Sequence, residues 1–191
     1  MSDDFTEAVR RARDYGLGEF LEIIGELSQE STKRGVLGRR SKELITYGIA
    51  LYKGCRRCIR IHERAARQLE ASDAELELVR RVHLFLRASP LPDKALWRSW
   101  KQSWTGFLLA RHPLPPHEVE LVALGIALVA QSGRHIRLHT RGALAYGADQ
   151  RAVFEVVPLA LLMDGAPALS QIPRLVKAVD RALRKAEAAG G

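Results

Sequence analysis

The sequence predicts an all-α protein built from two tandem copies of one helical unit. Three observations carry that prediction. The composition is rich in the helix formers Ala, Leu, Arg and Glu and holds only 6% aromatics. Apolar residues recur at helical spacing, and no segment alternates as a strand does. A shift of 77 residues lays 43–79 onto 120–156 without a gap, matching Glu43 with Glu120, Gly48 with Gly125, Ile59 with Ile136, Arg60 with Arg137 and His62 with His139. A gap-free match of this density signals internal duplication.

Each element follows in order. The segment containing "FLEIIGEL" reads as a helical arm leading into the first unit, which is expected over 20–89. There "SKELITYGIALYK" (41–53) is a largely buried helix with Ser41 as its N-cap, and Gly54 ends it. A second helix covers 55–71 and begins at Cys55. A third follows Ser72, whose spacing to Glu75 is that of a capping box. Residues 90–116 read as a connector, opened by "ASPLPD" and closed by "RHPLPPHE", whose prolines mark loops. Between them Trp97, Trp100 and Trp104 share one helix face, which reads as core or subunit packing. The second unit, 117–172, repeats the pattern with helices over 118–130, 133–146 and 149–162, and Gly147 as a C-cap where the first unit has Glu70. The remainder, 173–191, is an amphipathic helix fading into "AGG". The whole is expected to form a single helical domain.

The 191 residues are 47% hydrophobic and 27% charged, which suits a globular core and argues against disorder. The longest apolar run, around 119–130, is broken by Glu120 and Gly125 and is shorter than the about 18 residues a membrane span needs. With no apolar leader at the N-terminus, a cytoplasmic protein without a membrane partner is expected. The net charge is +8, but Arg residues are spread beside Glu and Asp, as in "ELELVRRVHLFLR". No basic–aromatic interleaving or zinc-finger spacing accompanies them, so no nucleic-acid partner is expected.

The chemistry concentrates in "GCRRCIRIH", residues 54–62, which holds both cysteines of the chain. Cys55, Cys58 and His62 fall at i, i+3 and i+7, on one helix face. Cys55 opens the helix, where the dipole and Arg56 and Arg57 favour a thiolate. Cys58 and His62 are i, i+4 neighbours, so the imidazole can take or return the Cys58 proton. If the two helices fold back about Gly54, Glu43 and His62 lie at levels differing by about 5 Å. Glu43 can then orient His62, giving a relay of Glu43, His62, Cys58 and Cys55. The second unit keeps Glu120 and His139 but replaces the cysteines with Ser132 and His135. A Glu–His pair that simply braces each helical hairpin is therefore an alternative to a catalytic one. A metal site is a further alternative, but it needs His135 or His139 as a fourth ligand beside Cys55, Cys58 and His62.

The pattern of Glu43, Cys55, Cys58 and His62, with "GVLGRRSKELITYGIAL", "HERAARQLEAS" and "HTRGALAYGAD", resembles the AhpD-like alkylhydroperoxidases of the carboxymuconolactone decarboxylase superfamily. The resemblance covers most of 20–170. It implies an AhpD-like helical fold and a homo-oligomer, trimer or hexamer. It implies a cofactor-free antioxidant peroxidase in which Cys58 attacks a hydroperoxide, Cys55 resolves to a disulfide, and Glu43 and His62 relay protons. A lipoylated or thioredoxin-like protein would restore the dithiol. Two features depart from the family's pattern. Arg57 stands where such enzymes often have His, and arginine stays charged, so it can steady a thiolate but not pass a proton. The motif also sits in the earlier unit, whereas AhpD itself carries it in the later one. A redox-sensing or metal-binding module, and a scaffold oligomer with a vestigial site, are the rival expectations.

Overall fold

The structure is a computed structural model that describes residues 3–90 and 93–190. Leu91 and Pro92 of the expected connector, and the terminal Met1, Ser2 and Gly191, lie outside the described residues. The described residues contain helices and no strand.

The arm comprises α1 (Asp3–Ala12), a kink over Arg13–Leu17 where Gly16 has φ 92°, and α2 (Gly18–Thr32). The first unit continues with α3 (Arg39–Lys53), α4 (Arg56–Gln68) and α5 (Asp73–Arg87). Helix α6 (Lys94–Leu109) leads to α7 (Pro116–Val129), α8 (Gly133–Ala145) and α9 (Gln150–Asp164). The short α10 (Ala166–Leu169) and α11 (Ile172–Gly190) close the chain, and α11 packs along α8. The shift of 77 carries α2 onto 95–109, inside α6.

The core is organised on α3 and α7, whose faces are buried over most of their length, as the apolar run 119–130 requires. They pack closely because each puts a glycine at the crossing. A Cβ on Gly48 would lie 2.9 Å from Val122 Cγ1, and one on Gly125 would lie 2.8 Å from Ile45 Cγ2. Ile45 and Val122 are themselves matched under the shift of 77, so the two contacts are the same contact made in both directions. Ser41 Oγ also donates to Glu118 Oε2 at 3.1 Å, and these two residues are again 77 apart. Reciprocal contacts, and contact between repeat mates, are what a two-fold relation between the units produces.

One local expectation changes. Ser41 is not the N-cap of α3: the helix starts two residues earlier with Gly38 in the extended cap conformation. Arg39 and Arg40 are good helix formers and extend the first turn, which frees the Ser41 hydroxyl for Glu118. The tryptophan face is turned inward. Trp100 and Trp104 are buried and stack nearly parallel at 5.8 Å between ring centroids, with Trp97 half-buried beside Trp100. Their edges meet His135 and His139 of α8, so this face is used within the chain.

The capping box forms as the sequence predicts, with Glu75 N donating to Ser72 Oγ and Ser72 N donating to Glu75 Oε2. The two hairpin turns of each unit are matched in backbone. Gly54 has φ 70° and its mate Gln131 has φ 52°; Gly147 has φ 92° and its mate Glu70 has φ 64°. A side-chain clamp ties the loop before α3 to the second unit. Glu155 accepts from Val36 N at 2.7 Å and Leu37 N at 3.1 Å, and pairs with Lys42 at 3.0 Å. Burial pushes the Glu155 carboxyl up, but these donors outweigh it and hold its pKa below the ordinary value. No helix among the described residues is long and apolar enough to cross a membrane.

Candidate functional site

Gly54, in the left-handed conformation, ends α3 and sends the chain back so that α4 packs along α3. Helix α4 begins at Arg56, and Cys55 is its N-cap: the sulfur accepts the Cys58 N–H at 3.3 Å. Cys55 and Cys58 are joined in a disulfide with their Cα atoms 5.3 Å apart, a span that the first helical turn supplies without rearrangement. Both are half-buried, while Arg56 and Arg57 beside them are exposed. The sulfurs therefore sit at the positive end of α4, with two cations next to them in sequence.

One turn further along, His62 is fixed from behind. Its Nδ1 lies 2.8 Å from Glu43 Oε2, and Glu43 is 7% exposed. The antiparallel hairpin brings the two residues to one level despite their separation in sequence. With the carboxylate accepting, the ring proton is on Nδ1, and Nε2 has no hydrogen-bond partner among the described residues. The i, i+4 register places that ring on the same helix face as Cys58. The structure thus pairs Glu43 with His62 and Cys55 with Cys58, with His62 one turn beyond Cys58 on α4.

The matched position in the second unit holds a different arrangement. His139 Nδ1 donates to Glu120 Oε2 at 2.5 Å, repeating the Glu43–His62 pair. His135, the mate of Cys58, then continues inward: its Nδ1 lies 3.1 Å from His139 Nε2, and its Nε2 lies 2.7 Å from Ser89 Oγ. One proton order satisfies all of these: Ser89 donates to His135, His135 to His139, and His139 to the Glu120 carboxylate. Trp104 Nε1 donates to the other carboxylate oxygen at 3.2 Å. Gly142 makes room for that carboxylate, since a Cβ there would lie 2.3 Å from Glu120 Oε1. Its mate in the first unit is Ala65. Burial, with His139 adding to it, lowers the His135 pKa to about 3, so that ring is neutral at ordinary pH.

His135 and His139 spend their ring nitrogens on Ser89, Glu120 and each other. No group of three or more His, Cys, Asp or Glu residues among those described is arranged to hold a metal ion. Ser89 escaped the sequence reading, and Trp104 entered it only as a packing residue. They lie outside the repeat match, and only the packing of α6 and the end of α5 onto α8 brings them in.

Comparison with known proteins gives one finding. The family model described as the carboxymuconolactone decarboxylase family matches twice, over residues 18–96 and 99–178. No curated protein and no solved structure matches the chain.

Proposed function

The chain belongs to the carboxymuconolactone decarboxylase family, and from that premise we propose that it is a thiol-dependent peroxidase of the alkylhydroperoxidase type, cycling Cys55 and Cys58 between dithiol and disulfide. The observation that carries this reading is the cysteine pair at the N-terminus of α4, with the Glu43–His62 pair behind it.

In the cycle, the Cys58 thiolate attacks one oxygen of a hydroperoxide. The O–O bond breaks, the alcohol leaves with a proton, and Cys58 becomes a sulfenic acid. The Cys55 thiolate then attacks the Cys58 sulfur and water leaves, forming the disulfide. Two electrons have passed from the thiols to the peroxide. A dithiol protein, lipoylated or thioredoxin-like, returns two electrons and two protons. Its attack on Cys58 expels Cys55, which the Cys58 N–H and the end of α4 favour as the leaving thiolate. His62, with its tautomer set by Glu43, moves protons at the sulfur. The protein acts as a homo-oligomer in this reading. The apolar side chains left exposed on α2, Phe20 at 57% and Ile23 at 61%, support such an association.

The test uses reduced protein and cumene hydroperoxide, counting free thiols against time. The expected result is rapid loss of both thiols as an intramolecular disulfide, with Cys58→Ser inert. Glu43→Gln should slow the reaction by about 10²-fold and shift its pH profile, as a positioning residue does and a merely structural one does not. Slow thiol loss, equal in Cys55→Ser and Cys58→Ser, sinks the proposal.

A further inference from the structure

Two concavities lie away from the cysteines, between α8 of the second unit and the flanking α6 and α11. They share Leu138, Arg141, Ala182 and Lys185, so they form one trough. The narrower part encloses about 450 Å³ and the wider about 780 Å³.

Three helices build the narrow part, each with one face. Helix α8 offers Arg134, Arg137 and Arg141 at i, i+3 and i+7. Helix α11 offers Arg181 and Lys185 one turn apart, with the small Ala178 and Ala182 on the same lining. Helix α6 offers Trp97 and Lys101. Six cations therefore converge, and no carboxylate lines the narrow part.

This is unlike other charged stretches of the same surface. Arg10 is matched with Glu7, Lys33 with Glu30, and Arg67 and Arg80 with Glu63. Lys101, Arg137, Arg141, Arg181 and Lys185 make no ion pair among the described residues. Like charges gathered in a concave site repel one another and focus a positive potential into it, which an entering anion relieves. The wider part continues from this basic end with apolar Trp104, Leu108, Leu144 and Leu183, and it also holds the carboxylates Glu120, which His139 and Trp104 engage, and Asp149. The trough thus has a cationic end free of carboxylates and a mixed body with an apolar stretch.

We propose that this trough binds an organic anion, a carboxylate or phosphate carried on an apolar or aromatic body, with the charged group among the cations of α8 and α11. The concave shape and the adjoining apolar side chains favour a small amphiphile over a nucleic acid, which needs an extended basic surface. The site is independent of the cysteine chemistry.

The experiment follows the fluorescence of 1-anilinonaphthalene-8-sulfonate on the full chain, with N-phenyl-1-naphthylamine as the same ring system lacking the sulfonate. The expected result is one sulfonate probe per chain, bound at least about tenfold tighter than the neutral probe, since a charge-assisted contact contributes on that order. The double variant Arg137→Ala/Arg181→Ala should weaken the sulfonate at least about tenfold and leave the neutral probe unchanged. Arg184→Ala, on the same helix but outside the trough, should change neither, and circular dichroism checks that each variant folds. Binding should be the same in Cys55→Ser and Cys58→Ser, so failure of the peroxidase reading leaves this one standing. Equal sulfonate binding in wild type and double variant overturns the proposal. So does multiple binding per chain, which would place the probe on the exposed apolar arm. Displacement of the probe by a 20-nucleotide single strand at lower concentration than by dodecanoate would assign the cations to nucleic acid instead.

Discussion

His135 shows how one substitution within a duplicated frame changes what a site can do. Its mate Cys58 sits half-buried at a helix start, where a sulfur can meet a substrate. His135 is 3% exposed and hydrogen-bonded on both ring nitrogens. Burial keeps it neutral, with a pKa of about 3 against 6.5 in an unfolded chain. The sign of the linkage follows. Between about pH 6.5 and pH 3 the unfolded state binds a proton at His135 that the folded state refuses, so stability falls as pH falls through that window. The contribution to the slope is at most about 1.4 kcal/mol per pH unit. His135→Gln keeps a donor for His139 and a donor or acceptor for Ser89 while removing the titration. The expected outcome, read by denaturant unfolding across that range, is a shallower acid limb in the variant. Parallel acid limbs would mean that His135 takes up a proton without cost when folded.

At the scale of the element, the turns that join each pair of helices matter more than the helices they join. Each unit needs left-handed backbone at the same two places, after its first and second long helices. Gly54 and Gly147 supply it without strain. Glu70 and Gln131 adopt it at a cost of about 1 kcal/mol each, the penalty of a side chain in that region. Glu70→Gly and Gln131→Gly should therefore each raise stability by up to about 1 kcal/mol, less the entropy that glycine adds to the unfolded chain. Thermal denaturation of the two single variants checks this, and a fall in melting temperature in both would refute it. The turn at Gly54 also sets the chemistry. It fixes where α4 starts, and so makes Cys55 the N-cap whose sulfur accepts the Cys58 N–H.

Over the whole molecule, the two units depend on the glycine crossing of α3 and α7. Gly48→Ala forces a methyl group to within 2.9 Å of Val122 Cγ1 and 3.3 Å of Val79 Cγ1. Overpacking of this kind costs about 1–3 kcal/mol, more than the about 1 kcal/mol that alanine gains in helix propensity. Gly106 in α6 is the control, because nothing lies within 4 Å of a Cβ built there. Urea unfolding should show Gly48→Ala destabilised and Gly106→Ala stabilised by up to about 1 kcal/mol. Two variants moving in the same direction would show that the crossing is looser than its distances. The same crossing separates the roles of the halves. The first unit carries the cysteine pair, and the second carries the buried polar chain and the basic trough.

The sequence by itself determined the helical class, the duplication and the family, because each rests on local periodicity or on identity at a fixed offset. It also determined that Glu43 and His62 would meet, since a hairpin about Gly54 leaves them no more than a turn apart. The start of α3 and the left-handed turns at Glu70 and Gln131 were not legible, because neither residue type announces that backbone. What only the tertiary structure decided is what each unit's equivalent position became. Ser89, in the loop after α5, and Trp104, on α6, reach His135 and Glu120 from outside the matched stretch. The six cations of the trough come from three helices far apart in the chain. Read along the sequence they look like ordinary solvated arginines, because charge convergence is a property of packing that linear spacing does not carry.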